Sequence, residues 1–434
     1  MHTATLLTSC ALVMALQGPA ADPRTADLEV FEQRFLAVDR SYDADERARA
    51  MAKFAALRRE ASRMSAARFE LAVAEIVAMA NNGHTNVGSA QWTRRFNRIS
   101  LYFLLFDDGF RVAASDEDPA LNGAMVTTIA GKTLDELRMV WARYQPGVPG
   151  WRDQQMHHFL ESPELLHAAG VAPDADGVEI SLTRADGTRE TRRFTGKRNE
   201  AGPRFRNPRE LEIVPIATPG PRPLYLQEPA RAMRYVDLPD RDAVYIQFRR
   251  NFDPMDPTFR QSADALAVRL KERRPRHVIV DQRFNSGGDL NNTRDLMKAI
   301  PGAIADGGRI FVITSARTFS AGISSVGYLK QAGGAAVTIV GQPVGDLLDF
   351  WAEGTGLTLP NSGIRIGFAT ERHNYQTGCP EPECHGAIRR NPIAVRSLTP
   401  DLSPKFTWAD FAAGRDPYVD AVLKLMAPDS SPGK

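Results

Sequence analysis

The second half of the chain alternates between short apolar runs and longer amphipathic stretches, and this alternation restricts the possible folds more than any other feature. The runs DAVYIQF, HVIVDQ, IFVITSA and AVTIV predict strands, and the stretches 259–273, 292–300 and 321–331 between them predict helices. Such a succession forms a parallel sheet covered by helices. Ligands of these sheets bind at the carboxyl ends of the strands, so we expect the functional residues there.

Two smaller regions precede this part. Residues 27–80 carry apolar side chains at intervals of three and four, which predicts helices, and a loop follows at Asn81–Thr85. From Leu101 the pattern changes to short apolar runs with one helix at 133–144, which predicts a compact module of strands and helix. The segment from Pro215 to Pro223 has the composition of a linker.

The predicted fold class is α/β for the last and largest part, within a multidomain α+β protein. The expected divisions are a helical domain at 21–97, a mixed module at 98–215, an α/β core at 216–427 and a flexible tail at 428–434.

The charge of the chain is nearly balanced: 54 Lys and Arg against 52 Asp and Glu leave a net charge of +2 at pH 7. This balance provides no basic surface for a phosphate backbone. The most basic run, Lys271–Arg276, is typical of a helix C-terminus, where cations interact favourably with the helix dipole. We therefore expect no nucleic-acid partner.

The first residues have the pattern of a secretory signal peptide. The apolar run LLTSCALVMAL is too short to span a bilayer, and the small residues Gly18–Ala21 follow it. Residues 1–20 are therefore expected to be removed, and the protein to be exported as a periplasmic or secreted protein without a membrane span. Because no Lys or Arg precedes the run, a buried N-terminal helix stays an alternative, and a lipid anchor at Cys10 is a further one.

Removal of that leader would leave two cysteines, Cys379 and Cys384, in the stretch TGCPEPECHG. In an exported chain this spacing predicts a small disulfide loop. A metal site that includes His385 is the competing interpretation, but zinc requires four ligands and no matching second pair follows. We predict no metal and no cofactor.

Ser320 stands between the run IFVITSA and the helix that follows it. A serine at such a turn exposes its hydroxyl group, and the first helical N–H groups point to where an oxyanion would form. An ordinary helix cap is the alternative role. Gly287 and Gly288 end another buried strand at the same sheet edge, where they either provide oxyanion N–H groups or form a tight turn.

Several stretches in this order resemble motifs of the C-terminal-processing (tail-specific) serine peptidase family: VIVDQRFNSGG, FVITSARTFSAG, IVGQPVGD, LPNSGIRIGF, LTPDLS and GRDPYVDAVL. The resemblance covers about residues 224–427 and implies a ClpP/crotonase-like ββα-spiral protease core. Upstream, the helices, the loop Asn82–Thr85 and the middle module resemble the N-terminal helical domain and PDZ-like domain of the tricorn-like and nisin-resistance-type branch. A polypeptide substrate is implied.

The resemblance also implies roles for individual residues: Ser320 as nucleophile, and Gly288 and Ala321, with Gly287, as the oxyanion site. His84 then corresponds to the general base of the branch that uses histidine, since a neutral imidazole can accept the serine proton near pH 7. Glu353 and Asp349 are the candidates for an acid that orients His84.

The sequence departs from the family pattern at several positions. Asp346 stands where the tail-specific branch has its lysine base, and Lys330 lies about 15 Å along the predicted helix from Ser320. Asn82 and Ile323 replace an Asp and a Glu of the pattern.

The sequence therefore predicts an exported serine-type endopeptidase that acts through an acyl-enzyme. The alternative is a catalytically inactive peptide- or ligand-binding protein on the same fold. An esterase of the α/β-hydrolase type is disfavoured, because the chain has no G-x-S-x-G motif.

Overall fold

The computed structural model describes residues 22–198, 222–254 and 256–426. The expected signal peptide, Cys10, most of the Pro-rich linker and the expected tail lie outside the described residues. Within those three ranges no helix is both long enough and apolar enough to cross a membrane.

The described part of the chain begins with three helices, as the spacing of its apolar residues predicts. They are α1 (Pro23–Phe31), which continues as a π-helical turn over Glu32–Leu36, α2 (Ala44–Glu60) and α3 (Ala66–Ala78). A capping box between Asp43 and Glu46 begins α2 and satisfies two terminal N–H groups. After α3 the chain turns at Asn81, whose φ of 45° is left-handed.

The middle region contains a five-stranded antiparallel sheet in the order β1-β2-β3-β4-β5. Its strands are β1 (Leu101–Phe106), β2 (Gly109–Ser115), β3 (Met125–Ile129), β4 (Gly177–Thr183) and β5 (Arg189–Thr195). Short helices lie before β1 and between β3 and β4: α4 (Trp92–Arg95), α5 (Leu134–Trp141), α6 (Pro149–Gln155), α7 (His157–Leu160) and α8 (Pro163–Ala168).

The second half contains a five-stranded sheet in the order β10-β9-β8-β7-β6. Its strands are β6 (Met233–Leu238), β7 (Ala243–Phe248), β8 (His277–Asp281), β9 (Arg309–Thr314) and β10 (Val337–Gly341). Strands β7 to β10 are parallel, as predicted. The edge strand β6 is antiparallel, because a tight turn that ends at the left-handed residue Asp242 joins it directly to β7.

Helices connect the parallel strands and cover the sheet: α9 (Phe259–Arg273), α10 (Asn291–Ala303) and α11 (Ala321–Gly333). Two small antiparallel pairs follow, formed by β11 (Asp349–Glu353) with β14 (Ala369–Asn374) and by β12 (Leu357–Thr358) with β13 (Arg365–Ile366). The chain continues through α12 (Gly386–Arg390), α13 (Trp408–Ala412) and α14 (Pro417–Met426).

One hydrophobic core extends through the N-terminal helices and the middle sheet. It also contains four side chains from the hairpin β12–β13 and its flanks, namely Leu357, Leu359, Ile364 and Ile366. The hairpin thereby fastens the second half of the chain to the helices that precede the loop at residues 82–86. This core contains residues from both sides of the expected domain boundary at 97/98, so the structure does not mark a division there and the boundary remains a proposal.

Candidate active site

Ser320 lies at the carboxyl edge of the parallel sheet, between β9 and α11. Its φ of 52° and ψ of −129° are strained for a residue with a side chain. The side chain makes no capping hydrogen bond to α11, so the alternative role of an ordinary helix cap is wrong. Two hydroxyl groups hold the preceding turn: Thr318 donates to the carbonyl of Gln282 at 2.8 Å, and Ser315 donates to that of Arg283 at 2.6 Å.

The Gly287–Gly288 turn follows β8 and lies against Ser320. A Cβ atom at Gly287 would lie 2.6 Å from the Cβ and 3.1 Å from the Oγ of Ser320. A Cβ atom at Gly288 would lie 2.5 Å from Cδ1 of Phe252. Because φ is 104° at Gly287 and 125° at Gly288, the turn also needs glycine for its backbone conformation. The two glycines thus form a tight turn and also allow close approach to the serine.

The three expected oxyanion N–H groups are not equivalent. Gly287 donates its N–H to Oδ1 of Asn285 at 3.0 Å, so this group is already engaged in this structure. Within the described parts of the chain, the N–H groups of Gly288 and Ala321 have no acceptor. These two donors remain for an oxyanion, and that of Ala321 lies at the N-terminus of α11.

Asn251, which sequence analysis missed, connects the glycine turn to α11. Its Nδ2 donates to the carbonyl of Ala321 at 2.8 Å and to Oγ of Ser325 at 3.0 Å. Its Oδ1 accepts from Asn285, and its backbone N–H donates to the carbonyl of Gly287 at 2.7 Å. The only sequence signal was its position just after β7, at the same sheet edge.

The loop that carries His84 is held by side-chain amides. Asn82 pairs with the backbone of Trp351 in β11, donating to its carbonyl at 2.9 Å and accepting from its N–H at 3.1 Å. A carboxylate could not donate the first of these bonds, which accounts for Asn at this position. Asn86 donates to the carbonyl of Gly83 at 2.8 Å and closes the loop.

His84 pairs with Asp346 and not with either of the two acids expected to orient it. Its Nδ1 lies 3.4 Å from Oδ2 of Asp346, whose side chain is only 4% exposed. Glu353 lies instead 3.2 Å from Nε2 of His373, and Asp349 accepts from Nε of Arg372 at 2.8 Å. The structure thus pairs the two expected acids, Glu353 and Asp349, with His373 and Arg372 and not with His84.

The interaction between Glu353 and His373 affects the protonation of both groups. The imidazole of His373, 3.2 Å away, lowers the pKa of the Glu353 carboxyl group, and burial lowers the pKa of His373.

No hydrogen bond joins Ser320 to His84 in this structure. The imidazole is stacked between Phe319, at a ring distance of 4.4 Å, and Phe350, at 5.1 Å, and both of its nitrogens are buried without a hydrogen bond to any described residue. Trp151 of α6 stacks on the other face of Phe319 at 4.1 Å. Phe319 immediately precedes Ser320, so one aromatic side chain contacts the histidine and adjoins the serine.

The other departures from the family pattern have structural roles. Lys330 donates from Nζ to the carbonyl of Val337 at 2.7 Å. Ile323, in the first turn of α11, is fully buried in the hydrophobic core. Neither side chain takes part in the site around Ser320.

The motif residues Asp281, Arg283 and Asp416 form a buried ionic cluster. Arg283 makes a bidentate interaction with Asp416, in which Nη1 and Nη2 donate to the two carboxylate oxygens at 3.0 and 2.8 Å. Its Nε lies 2.9 Å from Oδ2 of Asp281. Tyr245 donates to Asp281 at 2.6 Å. The cluster joins the end of β8 to the start of α14, so these residues stabilise the fold beneath the site.

Two cavities lie near the site and are lined by residues of both the middle region and the α/β region. One, of about 900 Å³, is lined by Asp346, Leu105 and Gln154, among others. The second, of about 520 Å³, is lined by Leu105 and Gln154 as well, and it reaches Ser286 and Phe252 beside the glycine turn. Ser320 and His84 line neither cavity, but Asp346 lines the first and Ser286 lines the second, and both cavities share Leu105 and Gln154.

No family model matches the sequence, and no curated protein matches it either. Solved structures do match: mature CPAF complexed with lactacystin aligns with a TM-score of 0.58 and 13% identity, over 94% of this chain and 98% of that chain. The chain has the CPAF fold. Mature CPAF alone gives a TM-score of 0.57 at 12% identity, over 94% of this chain and 97% of that chain.

Because the alignment covers nearly the whole of both chains, the CPAF fold includes the N-terminal helices and the middle sheet as well as the α/β region. The expected multidomain α+β class is confirmed. The photosystem II D1 C-terminal processing protease also matches, with 12% identity over 95% of this chain and 99% of that chain. Its TM-score of 0.38 is too low to support an inference.

Proposed function

We propose that the chain is a serine-type endopeptidase in which Ser320 is the nucleophile, His84 the general base and Asp346 the acid that orients it. The observation that carries the proposal is the strained backbone of Ser320 beside the N–H groups of Gly288 and Ala321, which have no acceptor among the described residues. Strain of this kind persists only where the surrounding structure enforces it, and it exposes the hydroxyl group at a helix N-terminus.

The reaction follows from this arrangement. Ser320 Oγ attacks the carbonyl carbon of a peptide bond while its proton passes to Nε2 of His84, and the N–H groups of Gly288 and Ala321 bind the resulting oxyanion. The departing amine takes the proton back from His84 as the C–N bond breaks. Water then hydrolyses the acyl-enzyme with the same groups.

Asp346 suits the orienting role because it lies on the Nδ1 side of His84. A carboxylate at Nδ1 favours the tautomer that keeps the proton there, which leaves the lone pair of Nε2 available for the serine proton. Asp346 stands where the tail-specific branch has its lysine base, and in this proposal its carboxylate supports a histidine base instead.

For proton transfer, His84 and Ser320 have to come within hydrogen-bond distance. Phe319 is the side chain that has to shift with them, since it stacks on His84 and is the residue before Ser320. Trp151 stacks on Phe319 from α6, so an opening of the cleft between the middle region and the α/β region would release this contact.

A polypeptide is the proposed substrate because the two cavities share Leu105 and Gln154 and reach Asp346 and Ser286, which gives space near the site for an extended chain. We further propose, from the sequence resemblance, that the middle region serves as a PDZ-like module and that the protein is exported after removal of residues 1–20. The exported fraction should then yield an intact mass that lacks this leader; a mass that retains it would contradict export by cleavage.

A fluorophosphonate probe tests the proposal, because it labels only an activated serine hydroxyl group. We expect labelling of the wild-type chain and of the matched control Ser262→Ala on α9, and none of Ser320→Ala or His84→Ala. Fluorescently labelled casein should likewise be cleaved by the wild-type chain and by Ser262→Ala, and not by Ser320→Ala or His84→Ala. If a folded wild-type chain takes no label yet binds unstructured peptides, the protein is a ligand-binding relative without catalytic activity.

A further inference from the structure

A second cluster of side chains lies beyond the proposed catalytic histidine, on the far side of Phe350. Glu353, His373 and His385 each offer one ligand atom, and these three atoms lie within 4.8 Å of one another. His373 is almost fully buried, whereas the side chains of His385 and Glu353 are 25% and 39% exposed. One imidazole is therefore fixed in the interior while two ligands face the solvent.

The strand pair β11–β14 brings these residues together. In its register Phe350 lies opposite His373, and Ala352 lies opposite Glu371. The register shifts between Ala352 and Glu353, and Glu353 has a left-handed φ of 61°. In a regular strand Glu353 would point away from the face that Ala352 occupies, but the bulge directs its carboxylate to His373.

Both imidazoles are oriented through their Nδ1 atoms. Nδ1 of His385 lies 2.8 Å from a carboxylate oxygen of Glu371, and Nδ1 of His373 lies 3.0 Å from the hydroxyl oxygen of Tyr375. A carboxylate behind a histidine is the usual support of a metal-binding imidazole, because it holds the proton on Nδ1 and leaves Nε2 as the ligand. Nε2 of His373 is buried and makes no hydrogen bond to any described residue, although Oε1 of Glu353 lies 3.2 Å away, and a buried polar atom in this state is costly unless a further ligand binds there.

We propose that Glu353, His373 and His385 bind a divalent transition metal, Zn²⁺ in the first instance, through one carboxylate oxygen and two Nε2 atoms. Two histidines and a glutamate are a known ligand set for zinc, with the fourth position open to water. Tetrahedral coordination at about 2.0–2.1 Å requires ligand atoms about 3.3 Å apart. The partly exposed side chains of Glu353 and His385 have the freedom to close around the metal.

The neighbouring cysteines do not belong to this site. Cys379 and Cys384 are joined in a disulfide in this structure, so neither sulfur is a thiolate ligand. The prediction of no metal relied on local spacing around His385. The other two ligands come from β11 and from the middle of β14, which local spacing could not reveal.

A bound metal would join the two strands that support the proposed catalytic histidine. Phe350 is stacked between His84, at 5.1 Å, and His373, at 5.0 Å, and His385 continues the stack at 5.3 Å. The metal thus has a positioning role, and its presence does not depend on whether Ser320 is catalytic.

The test uses untagged full-length protein, treated with chelator, dialysed, and kept free of reductant so that the disulfide stays closed. Calorimetric titration with ZnCl₂ should give one strong site per chain, and CoCl₂ should produce visible absorption bands of an ordered nitrogen and oxygen ligand set. Zinc should also raise the melting temperature, since it binds only the folded site.

Variants of the two exposed ligands assign the site without disturbing the buried histidine. Glu353→Gln and His385→Ala should each weaken zinc binding about tenfold or more, whereas the control His167→Ala should bind like the wild type. Glu371→Gln should weaken it by about 10- to 100-fold through the loss of orientation. Equal binding by wild type and the ligand variants, or no binding by folded wild-type protein, would show that Glu353 and His373 form only a hydrogen-bonded pair.

Discussion

The backbone of Gly287 lies directly against the side chain of Ser320, with room for no side chain between them. A Cβ atom at Gly287 would lie 2.6 Å from the Cβ of Ser320, and this is closer than real Cβ contacts. The glycine turn after β8 and the serine turn after β9 therefore form one unit, and a change in the first must displace the second.

Gly287→Ala should lower kcat for a peptide substrate by about a hundredfold or more, because it displaces both the serine and the neighbouring oxyanion donor. It also forces a side chain into a left-handed conformation, which costs on the order of 1 kcal/mol. Gly302→Ala in α10 is the matched control, since its Cβ would meet nothing within 4 Å. The measurement is kcat of both variants, together with their melting temperatures. Equal kcat values for the two variants would contradict the proposed contact between Gly287 and Ser320.

The acid that orients His84 can be identified by comparing two aspartates. Asp346→Asn should reduce kcat by about 10³- to 10⁴-fold with little change in melting temperature, since it removes the carboxylate at Nδ1. Asp349→Asn should leave kcat nearly unchanged, because Asp349 forms a partly exposed pair with Arg372. A larger loss of kcat in the Asp349 variant would reverse the assignment.

The buried cluster around Arg283 should control stability more than any exposed ion pair. Asp416→Asn removes one of its two carboxylate partners and should lower the free energy of unfolding by about 3–5 kcal/mol. Asp174→Asn, in an exposed pair with Arg193, should change it far less, because solvent and salt screen an exposed pair. Denaturant unfolding of the two variants provides the measurement, and similar losses would show that the cluster contributes no more than a surface pair.

Stability should depend on pH through His277. Burial, followed by the nearby cation of Arg276, lowers the pKa of His277 below its ordinary value of 6.5, and its Nδ1 accepts from the N–H of Arg309 at 3.3 Å. The unfolded chain therefore binds a proton more readily than the folded chain does. The stabilisation by neutral His277 is present above about pH 6.5 and is lost as the pH falls below that value toward the folded-state pKa.

His277→Gln keeps an acceptor near Arg309 but cannot be protonated, so the stability difference between wild type and variant should decrease between about pH 7 and pH 5. The exposed control His167→Ala should leave the pH dependence of unfolding as in the wild type. A stability difference that stays constant over this range would show that His277 does not titrate differently in the two states.

Much of the architecture follows from local features of the sequence. The alternating apolar runs predicted β7 to β10 and the helices between them to within a few residues, because strand and helix periodicity depend on backbone geometry that nearby residues determine. The same pattern located Ser320 and the glycine turn at one sheet edge, since the carboxyl ends of parallel strands lie on the same side. The spacing of Cys379 and Cys384 likewise predicted the disulfide that the structure contains.

The partners of these residues depended on the tertiary structure. Asp346 reaches His84 across 262 positions of sequence, and Asn251 reaches Ala321 across 70. Glu353 turns toward His373 only because a bulge shifts the register of β11. Sequence determined which segments fold and where their ends meet, because those depend on local periodicity. Only the packing of distant segments decided which side chain faces which, because a one-residue shift in register redirects a side chain to the opposite face.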